Sequence, residues 1–79
     1  MMQNIIETLP HQSANKKRSV VVAGHRTSVS LENVFWDHLR KVAKSRRISV
    51  NELVTQIDQS RDGSLSSAIR VFILHDLRK

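Results

Sequence analysis

Residues Arg26-Thr27-Ser28-Val29-Ser30-Leu31 alternate polar and apolar just ahead of a helix-like pattern, and this constrains the fold more than any other feature of the chain. Side chains of a strand point to opposite faces in turn, so Thr27, Val29 and Leu31 share one face and Arg26, Ser28 and Ser30 the other. A strand this short cannot satisfy its own backbone, because its N–H and C=O groups need a neighbouring strand. No second strand of matching character follows across a turn. The expected partner is therefore the same strand of another copy, giving an antiparallel ribbon with one apolar and one hydrogen-bonding face.

Length points the same way. A chain of 79 residues makes one small domain, and a lone domain of this size buries only about 60% of its unfolded surface. Small domains usually make up the shortfall with disulfides, a metal or a second subunit. There is no cysteine, which excludes disulfides and thiolate zinc sites, and dimerisation remains.

Charge indicates the partner. Thirteen Lys and Arg stand against seven Asp and Glu, a formal net charge of +6, which attracts polyanions. Four basic residues and no acidic one lie between Lys16 and Arg26, whereas Glu52, Asp58 and Asp62 oppose Arg61 alone between Ile48 and Asp62. Five basic residues stand against two acidic ones from Glu32 to Arg47, so positive charge gathers around the strand and the first helix. A two-stranded ribbon with donors at every second position fits the major groove of DNA.

Along the chain, residues 1–15 are polar and interrupted by Pro10 and read as a flexible arm. Residues 16–24 form a basic, extended lead-in through Lys16-Lys17-Arg18 and Val20-Val21-Val22, either lengthening the ribbon or running along the flank, with Gly24 marking a bend or bulge. Residues 25–79 form the domain proper, with a strand at 25–31 and helices at 32–46, 50–61 and 65–77. In the first helix Phe35, Leu39, Val42 and Ala43 form the buried stripe, Trp36 lies beside it at an expected interface edge, and Glu32 in the first turn favours the helix dipole. Ser49-Val50-Asn51-Glu52 is a capping box that starts the second helix, with Ile48 and Leu53 as its staple. Gly63 suits the left-handed position closing that helix. The third helix is apolar over most of its circumference (Leu65, Ala68, Ile69, Val71, Phe72, Ile73, Leu74, Leu77), which implies burial on more than one side.

The order strand, helix, short turn, capped helix resembles the ribbon–helix–helix family of bacterial DNA-binding dimers, the Arc and methionine-repressor type, over His25 to Ile57. A narrower resemblance, to short bacterial members with an added C-terminal helix, rests on the run from Lys17-Arg18-Ser19 through Arg26-Thr27-Ser28-Val29-Ser30-Leu31-Glu32, on Asn51-Glu52-Leu53, and on Leu65-Ser66-Ser67-Ala68-Ile69-Arg70-Val71-Phe72. It implies a mainly α fold with one short β-strand: an intertwined homodimer with an intersubunit two-stranded ribbon and a third helix. Val29, Leu31, Phe35, Leu39, Leu53, Ile57, Ile69, Phe72 and Ile73 are the expected dimer core. One position departs from the pattern. The wider family often has Gly two residues before the cap of the second helix, and here it is Arg47, at a cost of about 1 kcal/mol if the turn keeps positive φ.

The resemblance further implies sequence-specific double-stranded DNA binding by a bacterial transcription regulator. By position, Arg26, Ser28 and Ser30 would touch base edges, with Arg26 able to pair bidentately with guanine. Phosphate contacts are expected from Ser49, Val50 and Asn51 at the second helix N-terminus, and from Arg46, Arg47, Lys16, Lys17 and Arg18. The expected compartment is the cytoplasm, in association with the nucleoid, because no segment reaches the roughly 20 apolar residues that span a bilayer. A protein partner is the alternative: an antitoxin-like module could dock a second protein through its termini, with Val71-Phe72-Ile73-Leu74 as the surface. No cofactor, metal or membrane partner is expected. An enzyme is not expected either, since the four histidines are scattered and no glycine-rich phosphate loop is present.

Overall fold

A computed structural model of the chain describes residues 14–79. Two strands, β1 (Asn15–Val22) and β2 (His25–Glu32), precede three helices, α1 (Asn33–Arg46), α2 (Val50–Gln59) and α3 (Leu65–Leu77). The arm expected over residues 1–15 falls outside the described residues except at its end.

The partner of β2 corrects the sequence reading. β2 pairs antiparallel with β1 of the same chain, in a register that runs from Asn15↔Glu32 to Val22↔His25. The basic lead-in at 16–24 is therefore a strand as far as Val22, followed by the turn. The connection is two residues long, Ala23 and Gly24, with φ of 51° and 83°. Two positive φ values in a two-residue loop make the type I′ turn, whose twist matches that of paired strands. Ala seldom adopts such a φ, so the turn carried no signature in the sequence, and Gly24 alone read as a bend. The β-branched run Val20-Val21-Val22 favours the strand, and the turn folds it back.

Alternation then divides the hairpin. Val20, Val22, Val29 and Leu31 are buried on the inner face against the helices. Trp36, Leu39, Val42, Ala43, Leu53, Val54, Ile57, Ile69 and Ile73 complete the core. The residues expected at a dimer core thus fill the core of a single chain, apart from Phe35 and Phe72, which are only partly buried. Trp36, expected at an interface edge, is 2% exposed, and its indole N–H donates to the Lys16 carbonyl oxygen at 2.9 Å. With the helix beginning at Asn33, the buried stripe is Trp36, Leu39, Val42 and Ala43. Each fully buried leucine, Leu31, Leu39 and Leu53, contributes about 1.5–3 kcal/mol by transfer from water.

The helix ends follow local chemistry. Glu32 is the N-cap of α1, but its carboxylate makes no cap bond and turns instead to Arg70, so the expected first-turn role does not hold. At the C-terminus Arg47 N–H donates to the Lys44 oxygen and Ile48 N–H to the Ala43 oxygen, the two bonds of a Schellman motif. Arg47 has φ 59° and ψ 39°, so the turn keeps the left-handed geometry that glycine would adopt without strain. The α2 capping box forms as expected: Glu52 N–H donates to Ser49 Oγ at 3.0 Å and Ser49 N–H to Glu52 Oε1 at 3.1 Å. α2 stops at Gln59, two residues early, as Ser60 and Arg61 N–H bond three residues back and tighten the last turn. Gly63, at φ 96°, lies in the linker to α3 and does not close α2. Ser64 caps α3 through Ser67 N–H.

α3 buries Ile69 and Ile73, while Val71, Leu74 and Leu77 remain more than half exposed. The helix is therefore covered on one side by its own chain.

Candidate nucleic-acid interface

The register places three cross-strand pairs on the outer face of the hairpin: the polar pairs Lys17↔Ser30 and Ser19↔Ser28, and Val21↔Arg26. All six residues are exposed. Arg26, Ser28 and Ser30 are thus brought into one row. Beside it stands a second row, Lys17, Ser19 and Val21, which the sequence reading missed; the alternation in Lys17-Arg18-Ser19-Val20-Val21 was its signal. Lys16 and Arg18 belong to the opposite face.

Backbone groups distinguish the two edges. With a two-residue loop closing on Val22↔His25, the pairs 21/26, 19/28 and 17/30 are non-hydrogen-bonded, so their N–H and C=O groups point away from the partner strand. On the β1 side Val21 N–H donates to Asn51 Oδ1 at 3.1 Å, and Ala23 N–H donates to Thr55 Oγ1 at 3.3 Å. α2 thus seals the hairpin end of β1. On the β2 side, among the described residues, the amides of Arg26, Ser28 and Ser30 have no partner. Beneath that edge Thr27, expected to be buried, is exposed in an open groove with Val29, Leu65 and Ser66.

The start of α2 lies beside the β1 edge. The capping box leaves the amides of Val50 and Asn51 unpartnered among the described residues, at the positive end of the helix dipole. An open groove of about 270 Å³ brings Arg18, Arg40, Ser49, Val50 and Asn51 together around Trp36. The Arg18 guanidinium lies over the Trp36 ring, 5.7 Å from its centroid. Arg40, not singled out in the sequence, also pairs with Asp37. Arg46 is placed elsewhere, its guanidinium 5.3 Å from the Phe72 ring centroid on α3. Arg47 stands exposed at the turn between α1 and α2.

Ionic contacts fasten α3 to the strand and to α1. Arg70 donates to both carboxylate oxygens of Glu32, at 2.9 and 3.3 Å, and lies over the Phe35 ring. These hydrogen bonds, foremost, hold the Glu32 carboxyl below the usual glutamate range. His38 Nε2 lies 3.1 Å from Asp76 Oδ2, and that hydrogen bond lowers the Asp76 pKa. Among the described residues no cluster of three or more His, Asp or Glu side chains is placed to hold a metal ion, and no helix is long and apolar enough to cross a membrane.

Comparison with known proteins gives the same architecture. A family model described as a ribbon-helix-helix domain matches residues 15–77. The fold is similar to the solved structure of an uncharacterized protein from Bordetella pertussis Tohama I, with a TM-score of 0.76 and 26% identity. That match covers 91% of this chain and 62% of the other, so the chain spans about three fifths of that protein's length. No curated protein matches the sequence.

Proposed function

Because the chain belongs to the ribbon-helix-helix family, we propose that two copies pair through their β2 edges and read double-stranded DNA in the major groove as a transcriptional regulator. The observation that carries this reading is the bare β2 edge. Its unpaired amides alternate with inward side chains, and the side chains of the same residues, Arg26, Ser28 and Ser30, form the polar outer row. An open strand edge is a template for another strand. Antiparallel pairing centred on Ser28 sets Arg26 of one copy opposite Ser30 of the other and gives a four-stranded sheet with β2 and its mate in the middle. Arg26 makes the strict contact, bidentate to guanine, and the serines donate or accept with less discrimination. The amides of Val50 and Asn51, with Ser49, Arg18 and Arg47 nearby, receive phosphate. Lys16, Lys17 and Arg46 add positive charge to the same molecule.

Selection of bound fragments from a randomised duplex pool tests this directly. The wild-type chain should enrich a twofold-related site, and Arg26→Ala should lose about 1–3 kcal/mol of discrimination at the two symmetric guanines. Unaltered base preference in that variant would refute base readout by β2.

A second reading rests on the exposed Val71, Leu74 and Leu77 of α3: an antitoxin-like module whose partner protein covers this face. The same experiment separates the two, since a chain that serves only a protein partner shows no dependence of duplex selection on residue 26.

A further inference from the structure

The hairpin gives the sheet more strands than a groove can hold. Neighbouring strands lie about 4.8 Å apart, so in the four-stranded dimer β2 sits about 2.4 Å from the twofold axis and β1 about 7.2 Å from it. The major groove is about 12 Å wide, or about 6 Å on either side of that axis. The two β2 strands fit between the groove walls and the two β1 strands do not. We propose that β1 rides on the groove walls and that its outward residues, Lys17 and Ser19, bind the phosphates flanking the bases read by β2. This inference rests on the dimer reading given above and adds a division of labour within one sheet face.

Three observations support the division. Lys17 and Ser19 stand directly opposite Ser30 and Ser28, so each lies one strand further from the axis than a base-reading residue. Their chemistry suits phosphate: an ammonium attracts it as a point charge, and a hydroxyl donates one hydrogen bond to it. The neighbouring basic residues point the other way, with Arg18 engaged on the Trp36 ring, so among Lys16, Lys17 and Arg18 only Lys17 shares the face of Ser28. The third outward residue of β1, Val21, is apolar and 38% exposed, and lies next to Arg26 at the closed end of the hairpin. It carries no phosphate contact.

The test compares the full-length chain with Lys17→Ala, Lys17→Gln and a charge-matched control, Lys41→Ala. Lys41 lines the groove between α1 and α3 and is absent from the sheet face. Binding to a mixed-sequence duplex is measured over a range of salt, and base preference by selection from a randomised pool. Each phosphate contact contributes about 0.9 to the slope of log K against log salt, so losing two Lys17 contacts per dimer should lower the slope by about 1.8. Lys17→Ala and Lys17→Gln should show this loss with the selected sequence unchanged, and Lys41→Ala should lose less than half as much. A Lys17 effect no larger than the Lys41 effect, while Arg26→Ala still changes the selected sequence, overturns the phosphate role of β1 and leaves the dimer reading intact. A changed base preference in the Lys17 variants also overturns it, because β1 would then lie inside the groove. Failure of the wild-type chain to bind duplex DNA defeats the parent reading and the division together.

Discussion

The two edges of the hairpin are finished differently. β1 is sealed near the turn by two neutral side chains of α2, Asn51 and Thr55, and further along it carries Lys16, Lys17 and Arg18 in succession. Lysine and arginine on a strand edge discourage pairing with another chain. β2 has one cation, Arg26, between His25 and Glu32, and the amides of Arg26, Ser28 and Ser30 meet nothing among the described residues. Of the two edges, β2 is the one whose outward amides stay open among the described residues, and in the proposed dimer the sheet grows from that side. A chain whose β1 closes back on β2 can hold its own core and still leave one strand edge for a second copy.

The largest effect is expected when the same substitution is placed on each edge in turn. Proline removes a backbone donor and is tolerated where that donor faces away from the ladder. Ser28 and Ser19 both meet that condition, so neither substitution should unfold the hairpin. In the proposed dimer Ser28→Pro removes an N–H from each subunit at the centre of the new ladder and sets a ring against the facing strand. Two such bonds at roughly 0.5–1.5 kcal/mol each, with the added clash, should raise the dimer dissociation constant about 100-fold. Ser19→Pro should leave it unchanged. Sedimentation of the two variants settles the matter, and equal effects would show that β2 is not the dimer edge.

A smaller effect probes the sealed side. Asn51→Ala removes the acceptor for Val21 N–H at an exposed position. The expected loss is about 1 kcal/mol, seen as a fall of about 4–8 °C in the midpoint of thermal unfolding for a domain of this size. The dimer constant should not move. If Asn51→Ala weakened the dimer as strongly as Ser28→Pro, the assignment of one edge to the chain and the other to its mate would be wrong.

Much of this was legible in the sequence, for reasons that differ by element. The outward set of β2 and the inward Val29 and Leu31 follow from alternation alone, though Thr27 of the inward set stays exposed, and the α2 start follows from Ser49 and Glu52 at capping-box spacing. The partner of β2 was not legible. It depends on Ala23 holding φ at 51° beside Gly24, a conformation that alanine seldom adopts and so does not announce. Mistaking the partner also displaced the core: Val20, Val22 and Trp36 are buried because β1 lies over them or bears them, not because a second subunit does. Arg47 shows the opposite case. The resemblance puts a glycine-favouring turn at its position, and the structure keeps the left-handed conformation despite the side chain. At the candidate interface, charge clustering could mark Lys16, Lys17 and Arg18 as a group. Only the register separates Lys17 from its neighbours.

The chemistry of the two sides differs as well, and acid should separate them. The β1 side is joined to α2 by neutral hydrogen bonds, whereas α3 is joined to the end of β2 by Glu32–Arg70 and to α1 by His38–Asp76. Hydrogen bonds from Arg70 lower the Glu32 pKa, and the hydrogen bond with His38 lowers that of Asp76. A carboxyl with a depressed folded-state pKa stabilises the fold above its unfolded value, and that stabilisation disappears as pH falls through the folded value. The loss therefore belongs to the range below about pH 4, under the ordinary carboxylate values. Both groups are partly solvated, so the effect is the smallest of the series. Amide hydrogen exchange should show α3 losing protection before α2 as the pH is lowered through that range. Glu32→Gln together with Asp76→Asn should make the two helices respond alike. If α2 and α3 of the wild-type chain lose protection together at every pH, the ionic fastening of α3 contributes nothing separate, and only the backbone groups of the two edges distinguish the sides.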